Sequence, residues 1–461
     1  MRRRVVITPN SAPRLPSNGR PGRARIDNGL LALGVIVAFS AVGVQLVALG
    51  ARASAVRATL AVTEAAPTNF ARPDIIDRNG RLLATDVEVP SLFADPALVL
   101  DRDELVEKLS TVLPDIDPRQ LRGELSDRAR RFVWIRRGLS PKIAQKIHDL
   151  GLPSLAFRKE LRRAYPGGKL AGHVLGGVNI DNKGVAGIEK WIDENVGVEG
   201  VHTAEFSDHA PVRLSLDIGV QHSLEDELDI ATRRYQTHAA AGLVMDIRTG
   251  EIIASASLPR VDPLFPQTAY DPGHIDRLLT GTYELGSVFK TLTVAMALDE
   301  GLATSATVLD VRQPLTASGF TIADLHPAGR PLSVEEVFTR SSNVGAAMLA
   351  VQAGTDRFMS FMKRVGVTAP MKTEVGPVSA PLIPKRVDQI ELMTMSYGHG
   401  IAVAPLQFAA ATASILNGGK QVQPRYVRFA DAPAKPEAVT SELTSREIAR
   451  LFRLNVLDPS G

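Results

Sequence analysis

Ser287 and Lys290 stand three residues apart in Glu284-Leu285-Gly286-Ser287-Val288-Phe289-Lys290-Thr291. On a helix that spacing puts both on one face, so the lysine amine can reach the serine hydroxyl. The chemistry open to such a pair is nucleophilic attack through serine. A hydroxyl is inert until a base takes its proton, and lysine serves as that base only when burial or a positive field lowers its pKa. Val288, Phe289 and Leu292 are the expected apolar cover. A helix entry also leaves backbone N–H groups unpaired, which favours developing negative charge.

The same spacing occurs again at Ser360 and Lys363. A helix is expected there from an N-cap at Thr355 to Gly366. Phe358, Met359, Phe361, Met362 and Val365 form its packing face and leave Ser360 and Lys363 in solvent. A pattern this short arises by chance about once in such a chain, so the surroundings must decide between the two.

Around Ser287, Gly286 allows a tight entry, Val288 to Leu298 reads as helix, and Asp299-Glu300-Gly301 as its stop. Upstream, Asp217 caps a long helix over Ile218 to Tyr235. Ala241 to Ala256 reads as an apolar hairpin around Asp246-Ile247-Arg248-Thr249-Gly250-Glu251, the start of a central sheet. A proline-rich loop with Pro259, Pro263, Pro266 and Pro272 leads on to the serine. Downstream, Ser333-Val334-Glu335-Glu336 is a capping box for a short helix that runs out near Thr339. Ser341-Ser342-Asn343 then precedes a second helix from Val344, a place where such residues also serve as N-caps.

The N-terminal half is organised differently. Seven arginines and one acid, Asp27, occupy residues 1–28 among four prolines, a cytoplasmic basic tail. Residues 29–50 carry no charge over 22 positions, long enough for a single transmembrane helix. The run exceeds the apolar segment of a cleaved signal peptide, so an uncleaved anchor is expected. The arginines before it place the N-terminus in the cytoplasm and the remainder outside. Residues 51–71 are a juxtamembrane linker. Arg72 to Ala84 reads as strand, Asn79-Gly80 turn, strand. Helices are expected at Asp101 to Leu113, Asp117 to Arg131 and Ser140 to Leu150. This mixed α+β pattern extends over 72–210 without a catalytic constellation. The basic clusters Arg128-Ala129-Arg130-Arg131 and Arg136-Arg137 read as solvated faces.

Formal net charge is +3 over 461 residues, which gives no reason to expect nucleic acid as a partner. With no cysteine, disulfides and thiolate chemistry are excluded. His148, His173, His209, His274, His326 and His399 show no metal-ligand spacing, so neither metal nor cofactor is expected.

Ser-x-x-Lys followed by Ser-x-Asn on an interhelical loop belongs to a motif set shared by β-lactamases and penicillin-binding proteins. The chain resembles class B penicillin-binding proteins in order along nearly everything after residue 28. Arg72 to Ala84 is similar to their membrane-proximal signature. Tyr165-Pro166-Gly167 and Gly187-Ile188-Glu189 are similar to other marks of their non-catalytic pedestal. Leu214 to Gln221 and Asp246 to Ala254 resemble the opening of their transpeptidase domain, and Tyr397-Gly398-His399-Gly400 to Gln407 with Asn417-Gly418-Gly419 a later run. The short pedestal is most similar to the division-specific, FtsI-like branch.

The resemblance implies a membrane-anchored multidomain protein. A pedestal over 72–210 is followed by an α/β transpeptidase domain over 211–461. It implies Ser287 as acylated nucleophile, Lys290 as general base and Ser341 as proton relay. Asn343 is expected to hydrogen-bond Lys290 and the substrate amide, with Tyr397, Gly398 and Gly400 also binding substrate. Peptidoglycan stem peptides and β-lactams are the implied ligands, and other division membrane proteins the implied partners. The implied location is the bacterial inner membrane, with the catalytic domain in the periplasm. A non-catalytic division scaffold and a β-lactam sensor are the alternatives; the pedestal argues against the sensor. Leu285 stands where the family commonly has proline, and Ala404 where threonine is common. The family's Lys-Thr/Ser-Gly strand is not found. Lys372-Thr373-Glu374 falls too early and has glutamate in place of glycine, and Gly461 precedes the point where the strand is expected. The transpeptidase domain is therefore expected to lack its C-terminal strands, and the chain to be inactive as it stands.

Overall fold

The computed structural model describes residues 71–195, 210–428 and 436–457, and some of residues 33–47, which are helical. The basic tail, the linker up to residue 70 and most of the expected span 29–50 lie outside the described residues. Among the described residues no helix is long and apolar enough to cross a membrane.

The N-terminal α+β part is built on one long strand, Leu82–Ala94, of 13 residues. It is entered through the expected Asn79-Gly80 turn, where Gly80 takes φ +86° and Asp77 Oδ1 accepts the N–H groups of Asn79 and Arg81 at 2.8 and 2.9 Å. The strand pairs antiparallel with Leu155–Ala164 from Thr85↔Ala164 to Ala94↔Leu155, and with Val133–Arg136. The short strand Ile75–Ile76 joins it to Val212–Arg213, which runs parallel to Ile75–Ile76. Three helices, Arg102–Val112, Pro118–Glu124 and Pro141–His148, cover one end, each capped by the side chain before it: Asp101, Asp117 and Ser140. Leu92, Leu105, Leu109, Leu121, Leu125 and Ile147 fill the core beneath them.

Two expectations need correction. The helix expected over Asp117 to Arg131 ends at Glu124, because Ser126 turns back to bond Gly123 O through both its N–H and its hydroxyl. The cluster Arg128–Arg131 is exposed as expected, whereas Arg136 and Arg137 are half-buried and paired, Arg136 with Asp115 and Arg137 with Glu160 and Asp181. The part expected as the pedestal over 72–210 has this core of its own and also packs against the C-terminal part. Ile75, Leu83, Ala84, Tyr165 and Ile188 pack in one cluster with Leu214, Leu216, Ile252, Tyr426 and Val427.

The C-terminal part has a sheet side and a helical side. On the sheet side, Ala240–Met245 and Ile252–Leu258 form the expected hairpin. The helix Ile218–Tyr235, capped by Asp217, packs on it. Gln221 fastens the two together: its amide accepts from Ser255 N and donates to Ser255 O, both at 2.8 Å. Among the described residues the two strands form a two-stranded sheet, and at the start of the second strand Ile252 N donates to Arg425 O at 3.0 Å. The proline-rich loop then lies against the pedestal, where the backbone carbonyls of Val261 and Pro263 leave no room for a Cβ at Gly172 or Gly177. On the helical side, Lys290–Asp299 is the central element. It contacts Asn343–Ala353, Thr355–Arg364, Val334–Thr339, Pro405–Leu416 and Glu442–Leu457. Eight of its ten residues, Lys290 through Ala297, are buried.

Candidate active site

Gly286 adopts φ +63° and turns the chain into a 3-10 turn, Gly286–Phe289, which continues as the helix Lys290–Asp299. The expected helix thus begins in a tighter turn. Leu285, at φ −79°, has a backbone conformation open to both proline and leucine. The turn leaves Ser287 accessible at the surface, while Lys290 is only 3% exposed. Phe289 and Leu292 bury themselves beside the lysine, whereas Val288, expected as part of that cover, is 54% exposed at the rim.

Lys290 Nζ lies 3.1 Å from Ser287 Oγ, 2.9 Å from Ser341 Oγ and 2.6 Å from Ser341 O. Among the described residues no carboxylate pairs with it. Burial pulls its pKa from 10.5 down to about 8, only partly opposed by the charge of Asp324. A neutral amine has two N–H bonds and one lone pair. With the two N–H groups donated to the carbonyl and hydroxyl of Ser341, the lone pair is left for the Ser287 proton. The arrangement can therefore generate a serine nucleophile and hold its proton.

Ser341 reaches the lysine from a strained backbone, φ +57°, between the helices Val334–Thr339 and Asn343–Ala353. The capping box at Ser333 and Glu336 forms as expected. The N-cap reading of the Ser-Ser-Asn stretch belongs to its middle residue: Ser342 Oγ accepts from Gly345 N at 2.9 Å. Asp324, which sequence reasoning missed, holds this loop. Its Oδ2 accepts from Ser342 Oγ at 2.7 Å and its Oδ1 from Val344 N at 2.9 Å. Asn343 does not bond Lys290, contrary to expectation. Its Nδ2 donates instead to Ala323 O at 3.2 Å, because residues 323–324 lie across the start of its helix.

Tyr397, Gly398 and Gly400, expected to bind substrate, lie against the approach to the nucleophile. Gly286 N donates to Gly398 O at 3.2 Å, and Gly400 N to Glu284 Oε1 at 2.9 Å. Tyr397 is 9% exposed and meets the His399 ring edge-on. Ala404 N-caps the helix Pro405–Leu416 without a side-chain bond, so the common threonine is replaced at the loss of a cap.

The second Ser-x-x-Lys pair is on a helix, Thr355–Arg364, with Phe358, Phe361, Met362 and Val365 buried and Ser360 and Lys363 exposed. Its cap position is Gly354, with no side-chain bond from Thr355. Lys372-Thr373-Glu374 forms a turn closed by Thr373 and Gly376, and Glu374 accepts from Tyr426 N at 3.0 Å, a structural position.

Residues 240–461 match the penicillin binding protein transpeptidase domain, and residues 67–205 the penicillin-binding protein dimerisation domain. The chain is 38% identical over 393 residues to a probable peptidoglycan D,D-transpeptidase FtsI of Caulobacter vibrioides, covering 85% of this chain and 65% of that protein. It is 32% identical over 422 residues to a probable peptidoglycan D,D-transpeptidase PenA of Neisseria gonorrhoeae, covering 87% of this chain and 71% of that one. Among solved structures, a peptidoglycan synthetase from Bifidobacterium adolescentis shares the fold with a TM-score of 0.64 at 21% identity, over 84% of this chain and 81% of that chain. Two collinear domain matches, in the order dimerisation then transpeptidase, show that the chain belongs to the class B penicillin-binding proteins.

Proposed function

We propose that the chain carries the acyl-serine chemistry of a peptidoglycan D,D-transpeptidase of the division branch. The observation that carries this reading is a buried Lys290, paired with no carboxylate among the described residues, whose amine sits between the hydroxyls of Ser287 and Ser341. The relatives named as D,D-transpeptidases support the substrate class, and the FtsI relative supports the division role.

Neutral Lys290 takes the Ser287 proton as Oγ attacks the penultimate D-alanine carbonyl of a stem peptide. The Ser287 N–H, at the entry of the turn, faces the developing oxyanion. As the tetrahedral intermediate collapses, the C–N bond breaks. The Lys290 proton passes through the Ser341 hydroxyl to the departing D-alanine amine. The amine of a second stem then attacks the ester, gives its extra proton back along the same path, and Ser287 is released as the cross-link forms. Asn343 and the Tyr397–Gly400 turn border the substrate amide, and β-lactams acylate the same serine. The uncharged run 29–50 anchors the chain in the inner membrane with its catalytic part in the periplasm, beside other division membrane proteins.

A Lys-Thr-Gly strand is not found in residues 1–461. A non-catalytic division scaffold is the second reading. Adduct mapping with a fluorescent penicillin separates the two. Label at Ser287 that disappears in Ser287→Ala supports the enzyme reading. Label at Ser360 overturns the assignment of Ser287 as the nucleophile, and no label after prolonged exposure supports the scaffold.

A further inference from the structure

We propose that Glu284 is a positioning residue for the nucleophile, its carboxylate stapling the Tyr397–Gly400 turn to the entry of the Ser287 turn; this rests on the acyl-serine reading above. The two stretches are stitched along their backbones. Tyr283 and Val403 exchange both N–H···O bonds at 3.0 Å, and three residues on Gly286 N donates to Gly398 O at 3.2 Å. Between these points the Glu284 side chain spans the gap. Oε1 accepts from Gly400 N at 2.9 Å, and Oε2 lies 3.2 Å from His399 Nδ1.

Close approach is possible because of the glycines. A Cβ on Gly398 would collide with the backbone of Gly286, and Gly398 and Gly400 take φ +83° and +72°. Glycine permits this geometry without enforcing it, since it loses more conformational freedom on ordering than any other residue. Something must select the single arrangement, and the carboxylate does so by occupying the Gly400 N–H and the imidazole together. The backbone contact it stabilises, Gly286 to Gly398, is one residue from Ser287. The direction of the Ser287 N–H and Oγ therefore depends on it. Glu284 and His399 are both more than half exposed, 51% and 59%, so their charge attraction is screened and the staple acts through geometry.

The test uses the full chain with Glu284→Gln, which keeps an acceptor for Gly400 N–H, and Glu284→Ala, which keeps none. Penicillin acylation at Ser287 is resolved into a non-covalent binding constant and an acylation rate constant, with amide hydrogen exchange measured alongside. Misplacing a nucleophile by about 1 Å costs on the order of 10²-fold. Glu284→Ala is therefore expected to lower the acylation rate constant about 10- to 100-fold and the binding constant by less than about threefold. Exchange at Gly286, Ser287 and Gly400 should become faster in Glu284→Ala. Glu284→Gln should restore both the rate and the protection. The proposal is overturned by wild-type acylation in Glu284→Ala, by a Gln variant as slow as the Ala one, or by unchanged exchange at Gly400. If the wild-type chain forms no adduct at Ser287 but the exchange pattern holds, the acyl-serine reading falls and the staple stands.

Discussion

Lys290 and Arg163 are withdrawn from water to nearly the same degree, 3% and 2% exposed, but their surroundings differ in kind. Arg163, in the pedestal, donates to Glu189 Oε1 at 2.7 Å, Asp86 Oδ1 at 3.1 Å and Pro73 O at 2.8 Å. Arg72 completes the cluster from the other side of Glu189 at 2.9 Å and also pairs with Asp193. Burial pushes the Arg163 guanidinium down, yet the charges of Glu189 and Asp86 outweigh it and hold the group above its ordinary value. Among the described residues Lys290 meets only hydroxyls and a carbonyl, and burial lowers it to about 8. Compensation by carboxylates makes a buried cation a structural tie. Hydrogen bonding without compensation makes it a base.

Replacing each cation by methionine should break this comparison open. Lys290→Met removes the base, and acylation is expected to fall about 10²–10⁴-fold, measured as the rate of penicillin labelling. Its stability should not fall at pH 7. The lysine is harder to charge folded than unfolded, so its burial costs stability below pH 8, and that cost fades as pH rises from about 8 to 10.5. Urea unfolding should accordingly show wild-type stability gaining on Lys290→Met across that window. Arg163→Met takes the buried guanidinium from Glu189 and Asp86, leaving Glu189 with Arg72 and Tyr165 and Asp86 with Arg72 N and Asn182, and the unfolding free energy should drop by about 3–5 kcal/mol. Equal stability losses in the two variants would mean that partner chemistry does not distinguish the sites.

Asp324 sharpens the contrast, being the charge that tempers Lys290 from a distance. Asp324→Asn removes the one influence that raises the lysine, so the pH at which acylation half-develops should move down. Loss of its bonds to Ser342 and Val344 in Asp324→Ala should cost about 1–2 kcal/mol, as for other helix N-caps, read by thermal melting. The smallest effect belongs to the other Ser-x-x-Lys pair. Ser360→Ala and Lys363→Ala, both on a solvated face, should leave labelling unchanged and stability within about 0.5 kcal/mol.

What could be read from sequence was local. Asp217 before Ile218–Tyr235, Ser333 with Glu336, Asn79-Gly80 and the hairpin around Asp246 to Glu251 each encode their geometry within a few residues. Placing Ser287 and Lys290 together needed only helical spacing and a glycine. Asp324 was not legible because its partners lie 18 and 20 residues away, beyond the helix Val334–Thr339, and an aspartate before Leu-His-Pro carries no cap signal of its own. The same reason hid the partner of Asn343: Ala323 offers a backbone carbonyl, which no side-chain pattern announces. The elements of the pedestal form a complete α+β pattern in the sequence. Only packing shows Ile75, Tyr165 and Ile188 sharing a core with Ile252 and Tyr426.

The central claim is that Lys290, made easier to deprotonate by burial, is the base for Ser287. The most direct measurement is the pH dependence of penicillin acylation at Ser287 from about pH 6 to 10, for the wild-type chain and Lys290→Met. The account predicts a wild-type rate that rises through an inflection near pH 8 and then levels, because the active form is the deprotonated amine. In Lys290→Met that inflection should be gone. A wild-type rate flat across the range, or the same inflection surviving in Lys290→Met, would contradict it.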